Sequence, residues 1–98
     1  MPTNINKYEL GSLVRTTAKF TRFDGEPQDP STVSLTITNP AGVETTYEYG
    51  TDNIVKANVG VYYYLIDANA EGVWTRRWFS TGTGQAAKSG KFEIMEGL

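Results

Sequence analysis

The strongest constraint on the fold is the stretch at residues 60–80, which reads GVYYYLIDANAEGVWTRRWFS. Side chains alternate between the two faces of a β-strand with a period of two. That period gives each of two strands one aromatic face, carried by Tyr62, Tyr64, Trp74 and Trp78. The break at 67–72 (DANAEG) is rich in turn residues and has a length that joins antiparallel neighbours. We therefore predict a β-hairpin here that forms the heaviest part of the core.

Two absences in the composition restrict the chemistry. The 98-residue chain is the size of one domain and contains no cysteine, so we expect neither a disulfide framework nor a thiolate metal site. It also contains no histidine, which is the commonest general base and the commonest metal ligand. We therefore predict a non-enzymatic protein with no catalytic residues, no cofactor and no metal.

Charge and hydropathy restrict the partners. The formal net charge is −2, with nine basic and eleven acidic residues spread along the chain. A nucleic-acid-binding protein normally carries a basic patch, so we expect no nucleic-acid partner. No apolar run approaches the ~20 residues that span a bilayer, and the N-terminus has no apolar signal-peptide core. We expect a soluble intracellular product without a membrane partner.

The remaining alternation predicts further short strands. The segments that alternate are 12–23, 32–38, 43–49, 54–57 and 91–95, the last with Phe92 and Ile94 facing inward. Turn chemistry separates them, most clearly at 24–30 (DGEPQDP) and at 39–42 (NPAG), where the flanking strands should form a hairpin. About seven short strands without helical periodicity predict an all-β fold, an antiparallel β-sandwich, with a small barrel as the alternative.

The two ends of the chain are predicted to differ. Residues 1–11 are polar and aperiodic, so we predict a flexible N-terminal arm before a sandwich at 12–96. If that arm orders on a partner, Tyr8 and Leu10 are its candidate anchors. The segment 80–90 (STGTGQAAKSG) is small, polar and glycine-rich, and predicts a mobile loop.

Two motif-like segments have simpler interpretations. Residues 82–89 (GTGQAAKS) resemble a phosphate-binding loop, but Ala87 replaces the second glycine and a strand pattern follows where a helix is needed. Asp24, Glu26 and Asp29 offer oxygen ligands, but their spacing matches no calcium loop. We interpret the first segment as a loop and the second as a turn.

The outer face of the predicted hairpin is a candidate contact surface. If the hairpin lies in the middle of one sheet, Tyr63, Arg77 and Phe79 share the face that points away from the core. Such residue types are enriched at protein interfaces. The same aromatic row could stack on sugar rings, and the first strand or the N-terminal arm could also cover it. Arg76 shares the tryptophan face, where we expect its stem to pack and its guanidinium to reach water.

The order of turn and core residues resembles a known family. The matching features are Asp24-Gly25, Asp29-Pro30, Val33, Leu35, Ile37, Asn39-Pro40-x-Gly42, Gly60-x-Tyr62, Gly72-x-Trp74, Trp78, Thr81-Gly82 and Gly90-x-Phe92-x-Ile94. The whole is similar to the small immunoglobulin-like proteins encoded among the structural genes of tailed bacteriophages, near the capsid and head–tail connector genes. The resemblance covers residues 10–95 but lacks the cysteine pair of antibody domains.

The resemblance implies an immunoglobulin-like sandwich that serves as a structural component of a bacteriophage virion. Such a protein decorates or cements the capsid, or sits at the neck between head and tail, and acts by protein–protein docking. Its partners would be major capsid, neck or tail proteins of the same particle, with the chain present as a monomer or a homo-oligomer. It would be made in the host cytoplasm. The alternative is an immunoglobulin-like adhesion or carbohydrate-binding module.

Overall fold

The computed structural model describes residues 6–82 and 87–96, which form strands and their connections without a helix. The strands are β1 (Asn6–Glu9), β2 (Leu13–Lys19), β3 (Thr32–Thr38), β4 (Glu44–Glu48), β5 (Val55–Asn58), β6 (Val61–Asp67), β7 (Gly72–Thr81) and β8 (Ala87–Met95). The predicted all-β class is confirmed.

The strands form two sheets. One has five strands in the order β1-β8-β7-β3-β4, and the other has three in the order β2-β6-β5. All pairs are antiparallel except β1–β8, which is parallel. The predicted hairpin of 32–38 with 43–49 is confirmed as β3–β4, and its turn has Gly42 at a φ of +85° with its N–H donating to the Asn39 carbonyl.

The core lies between the sheets and follows the predicted alternation. In β2 every second residue is buried while the intervening ones face solvent, and β3 contributes Val33, Leu35 and Ile37. Of the five residues predicted to define the core, four are buried: Tyr62, Trp74, Trp78 and Phe92. The fifth, Tyr64, is half-buried and packs against the cluster.

The predicted hairpin of residues 60–80 is wrong. Its two strands are β6 and β7, and they lie in different sheets. The connection between them crosses the end of the sandwich. Ala68 lies fully buried in this connection, and it exchanges backbone hydrogen bonds with Gly11 and Ser12. The Trp74 indole N–H donates to the Ala70 carbonyl at 3.0 Å, which draws the connection over the core.

Both segments predicted to be irregular contain strand. Residues 6–9, inside the predicted arm 1–11, form β1 and pair with β8, while residues 1–5 lie outside the described part of the chain. Within the predicted loop at 80–90, β7 continues to Thr81 and β8 begins at Ala87. Only 83–86 of that loop lie outside the description. β8 therefore starts inside the phosphate-loop-like motif, four residues earlier than the predicted strand at 91–95, and within the described residues no helix follows the motif.

A buried hydrogen bond joins the central strand of the five-stranded sheet to an edge strand of the three-stranded sheet. The indole N–H of Trp78 on β7 donates to the hydroxyl of Thr16 on β2 at 2.9 Å. Both side chains are almost completely buried, where a polar atom without a partner is costly. This bond fixes the register of one sheet over the other.

Candidate docking surfaces

The predicted contact surface is divided between opposite sides of the molecule. Tyr63 lies on β6, on the outer face of the three-stranded sheet, whereas Arg77 and Phe79 lie on β7, on the outer face of the five-stranded sheet. The separation follows from the crossing of the chain between β6 and β7. The single row of Tyr63, Arg77 and Phe79 that was predicted, and with it the proposed row for sugar stacking, does not form.

The outer face of the three-stranded sheet, here the three-strand face, is the more apolar of the two. It carries the half-buried Tyr63 together with Leu13, Val55 and Leu65, which are 65%, 42% and 47% exposed. Cross-strand pairing brings Leu65 opposite Arg15 and Val55 opposite Tyr63. The Arg15 guanidinium lies 3.9 Å from the centre of the Tyr63 ring, a cation–π distance. The face is thus a fixed patch of aliphatic side chains with a basic margin.

The outer face of the five-stranded sheet, here the five-strand face, is mainly hydroxylated. Thr36 and Thr46 share a hydrogen bond of 3.0 Å, and a second bond joins Thr32 to Thr81. The exposed Arg77 lies with its guanidinium 5.8 Å from the half-buried Phe79 ring. Thr36, Thr46, Arg77 and Phe79 are among the residues that line a shallow groove of about 440 Å³. It is suited to polar contacts more than to burial of apolar area.

Tyr8 and Leu10, the two candidate anchors of the arm, pack on the protein's own core. The Tyr8 ring meets Phe92 edge-on with centroids 6.0 Å apart. Leu10 is half-buried against the same core, and its N–H donates to the Met95 carbonyl. The place of Tyr8 in β1 explains its packing, since it lies opposite Ile94 of β8, which is buried in the core.

Arg76 packs along the core edge of β7, near Phe92 and Gly90. It is half-buried between the two tryptophans of β7, and its guanidinium lies 5.9 Å from the Phe92 ring. A Cβ placed on Gly90 would lie 3.1 Å from that guanidinium. Because Gly90 has no side chain, the Arg76 guanidinium can lie next to its backbone.

Asp29 organises the base of the β2–β3 connection. One carboxylate oxygen accepts hydrogen bonds from the Gly60 N–H at 2.7 Å and from the Tyr62 hydroxyl at 3.1 Å. The other lies 2.6 Å from the Lys56 ammonium. Gly60 has a φ of +71°, and a side chain there would collide with the Phe20 carbonyl oxygen, so glycine is required.

The ionisation of this cluster favours a structural role. The bond from Lys56, followed by that from Gly60, holds the pKa of the Asp29 carboxyl below its ordinary value, and the bond to Asp29 raises the pKa of Lys56. Both groups therefore stay charged, so Lys56 is not a free-amine nucleophile. Asp24, another carboxylate of the predicted turn, forms an ion pair with Arg22. Among the residues the structure describes, no group of three or more potential metal ligands occurs.

The sequence interpretation missed Phe23, whose side chain is completely exposed. It sits in the turn of residues 21–27, here the tip turn, which ends in a bridge between Thr21 and Pro27. Asp24 braces the turn by an ion pair with Arg22 at 3.1 Å and by accepting the Glu26 N–H at 3.1 Å. The sequence did contain a signal for this exposure. Phe23 stands directly before the turn residues Asp24-Gly25, so it lies beyond the end of the strand and cannot be buried on a strand face.

A second missed feature is a cleft at the side of the sandwich, here the edge cleft, of about 250 Å³. It exists because β5 pairs with β6 only up to Tyr63, which leaves the last part of β6 uncovered. The buried side chains of Ile37, Ile66 and Trp74 line it, and Tyr47 and Tyr64 stack beside them with centroids 4.6 Å apart. Val43 and Leu65 form an exposed apolar rim.

No protein-family model matches the sequence, and no significant match occurs among curated proteins. Within the described residues, no helix is long and apolar enough to cross a membrane.

Proposed function

We propose that the chain is an immunoglobulin-like sandwich. The order β2-β6-β5 corresponds to strands B-E-D of that fold, and β8-β7-β3-β4 to G-F-C-C′ of its variable type. The Thr16–Trp78 hydrogen bond joins the strands that correspond to B and F, where antibody domains carry their disulfide. Leu35 stands on the strand that carries the tryptophan in antibody domains, so the correspondence concerns architecture alone.

The function we propose is that of a non-enzymatic structural component of a tailed-bacteriophage particle, docked on capsid or neck proteins. The sequence resemblance suggests the particle. The observation that supports docking is the three-strand face, where Leu13, Val55 and Leu65 remain exposed on the same side of the sheet as a tyrosine held by Arg15. Exposed contiguous apolar side chains of this kind mark interaction sites in soluble proteins.

Repetition on a particle supplies the affinity that one small face lacks. A sheet face of this size buries little area by itself, so a single contact is weak. When many copies bind a symmetric lattice and also touch one another, the effective concentration of each binding event rises steeply. The protein would thereby strengthen a particle without a large interface on any one subunit.

The test of this function uses purified particles. The chain is expected in a fixed stoichiometry with the capsid or neck protein, and cross-links should join the three-strand face to that neighbour. Leu65→Glu places a charge on this face and should lower occupancy at least tenfold. Val73→Glu, at a similarly exposed site on the opposite face, is the matched control and should keep occupancy. Absence from particles, or equal occupancy of both variants, would refute the proposal.

The carbohydrate-binding alternative has less support. It relied on Tyr63 and Phe79 forming one row, and they lie on opposite sheets. One face of the Tyr63 ring is also occupied by Arg15. A shift of tryptophan fluorescence by soluble glycans that disappears in Tyr63→Ala would favour this alternative over docking.

A further inference from the structure

Two of the four sheet edges in the described part of the chain are long enough to pair with another strand. The edge strands are β1 and β4 in one sheet and β2 and β5 in the other. β1 and β5 have four residues each, and the pairing of β5 with β6 contains a register shift. β2 has seven residues and β4 has five, and both pair with their neighbours in unbroken register. Neither β2 nor β4 contains a proline, which would block an added strand.

The backbone of β2 directs half of its hydrogen-bonding groups to the open side of the sheet. In an antiparallel pair, residues that exchange hydrogen bonds with the partner strand alternate with residues that do not. The Phe20 N–H, just after β2, donates to the Gly60 carbonyl at the start of β6. The even-numbered residues of β2 therefore bond to β6. The odd-numbered ones direct their N–H and C=O groups to an edge that no other described strand occupies, and they are Leu13, Arg15, Thr17 and Lys19.

The free edge of β4 is arranged in the same way. The Tyr49 N–H, just after β4, donates to the Val33 carbonyl, so the odd-numbered residues bond to β3 and the even-numbered ones point outward. Glu48 uses its backbone groups in the turn that follows. Glu44 and Thr46 therefore keep both their N–H and C=O groups free for another strand.

The side chains along these two edges carry opposite charges at the same spacing. The solvent-facing side chains are Arg15, Thr17 and Lys19 on β2, and Glu44, Thr46 and Glu48 on β4. None of the four charged groups forms an ion pair with another described residue. The Tyr63 ring lies against one face of the Arg15 guanidinium, whose N–H groups in the plane of the head group remain available to a carboxylate.

An antiparallel pairing of β2 with the β4 of a second copy matches these charges one to one. The facing pairs are then Thr17–Thr46, Lys19–Glu44 and Arg15–Glu48. Opposite charges directly across two strands stabilise the pairing, and like charges destabilise it. Pairing β4 with another β4 about Thr46 would set Glu44 against Glu48, and pairing β2 with another β2 would gather four cationic groups on one face. The charges therefore favour the mixed pairing over either pairing of like strands.

We propose that the free edge of β2 in one copy pairs antiparallel with the free edge of β4 in a second copy, with Thr17 opposite Thr46. The pairs Thr17–Thr46 and Lys19–Glu44 each exchange two backbone hydrogen bonds. The three-stranded sheet of one copy thereby continues into the five-stranded sheet of the next. Because the two edges differ, such contacts build a ring if the rotation between copies closes and a filament if it does not. The contact involves the chain alone and does not depend on the proposed place in a particle.

Exchange of charge between the two edges tests the register on the full 98-residue chain. Lys19→Glu and Glu44→Lys each place like charges opposite one another. The double variant that carries both substitutions has opposite charges across the contact again. Lys7→Glu on β1 and Glu26→Lys in the tip turn are the matched controls, because each makes the same change of charge at an exposed position outside the contact.

Thr17→Pro tests the backbone of the contact. It removes an N–H that β6 does not use, and proline is tolerated on an edge strand at such a position. The substitution should therefore leave the single molecule folded and block the added strand. Sedimentation velocity from micromolar to millimolar concentration gives the association state of every variant, and circular dichroism checks that each one folds.

The wild type and both charge controls are expected to associate as concentration rises, and less strongly at high ionic strength, which screens exposed ion pairs. Each single reversal should associate about fivefold more weakly or worse, and the double variant should return to within about twofold of the wild type. Thr17→Pro should associate at least ~30-fold more weakly, because it leaves an acceptor of the partner strand without a donor.

A monomeric wild type would overturn the proposal. Association that strengthens with salt would also overturn it, since that result indicates contact between like charges. A double variant no stronger than the single reversals would refute the register. If Thr17→Pro prevented particle binding by a chain that never self-associates, the proposal would be overturned in favour of a strand from a different protein.

Discussion

At the scale of single residues, the molecule depends on polar atoms placed inside an apolar core. The Trp78 ring fills the centre of the sandwich, and its N–H must find an acceptor there. Thr16 supplies that acceptor from the opposite sheet. The pattern of β2 gave no reason to single out Thr16, because a threonine on the inward face also reads as an ordinary β-branched residue.

Thr16→Val is therefore expected to lower the free energy of unfolding by about 1–3 kcal/mol, the cost of a buried donor left without a partner. The substitution keeps the shape of the side chain and removes only the acceptor. Urea unfolding measures the change. Thr17→Val, at the next position but exposed, is the control and should change stability by less than ~0.5 kcal/mol. Equal effects at both positions would contradict this role.

Asp29 gives a prediction about acid. Because its pKa is lowered in the folded state, its contribution to stability is present above the ordinary carboxyl pKa and is lost as pH falls through the folded-state value. Asp29→Asn removes the ion pair with Lys56 and should lower the melting temperature at neutral pH. The difference from wild type should shrink as the solution is acidified below the ordinary value of 3.8.

The matched control for this prediction is Glu44→Gln, which removes an exposed carboxylate at the start of β4. Its melting temperature should follow that of the wild type across the same pH range. A difference between Asp29→Asn and wild type that stays constant into acid would show that the charge of Asp29 does not contribute.

At the scale of elements, most strand positions could be predicted from sequence, whereas the only strand pairing predicted correctly was the β3–β4 hairpin. Alternation reports which residues face inward, and β3 at Thr32–Thr38 matches the predicted segment residue for residue. It does not report which sheet a strand joins. A connection as short as that between β6 and β7 fits either a hairpin or a crossing, and only the burial of Ala68 distinguishes them. The alanines in that break were the one available signal.

The candidate surfaces could not be predicted for the same reason, since a surface depends on which strands are neighbours. Tyr63 was predicted to face outward and does, but its actual neighbours Arg15 and Val55 come from strands whose pairing the sequence did not reveal. The edge cleft depends on where β5 ends relative to β6, a property of register. Strand β1 was missed because it has four residues and only Tyr8 faces the core with a large ring.

Tyr8→Ala is expected to lower the free energy of unfolding by about 1–2 kcal/mol, since it removes a half-buried ring and its contact with Phe92. Hydrogen exchange of the β1 amides should become faster as well. Lys7→Ala, at the neighbouring exposed position, should leave both quantities nearly unchanged. Unaltered stability in Tyr8→Ala would instead agree with the original prediction of a partner anchor.

At the scale of the whole molecule, tyrosine pairs hold the sheets together along their open side. Tyr47 stacks on Tyr64, and Tyr49 meets Tyr62 edge-on with centroids 5.0 Å apart. Burial, followed by hydrogen bonds, raises the pKa of both Tyr62 and Tyr64 to about 12. These hydroxyls are thus kept neutral by the packing of one sheet on the other.

The molecule is consequently expected to lose stability in alkali. A raised folded-state pKa contributes stability that is complete below the ordinary value of 10.0 and disappears as pH rises through about 12. Thermal unfolding measured along this range should show a falling midpoint together with the rise of tyrosinate absorbance. Tyr62→Phe, which cannot ionise, should have a shallower decline than wild type. An identical decline in both proteins would contradict the assignment to Tyr62.

The path of the chain through the two sheets has a consequence for biosynthesis. Between β1 and β8 the backbone passes from one sheet to the other four times, and β8 lies between β1 and β7. The five-stranded sheet is not complete until the segment that forms β8 has left the ribosome, because that strand joins β1 to β7. Pairing between strands that are far apart in the sequence, such as β1 and β8, forms slowly. Nascent chains would therefore expose their aromatic strands during nearly all of translation and acquire the sandwich only when synthesis of β8 is finished.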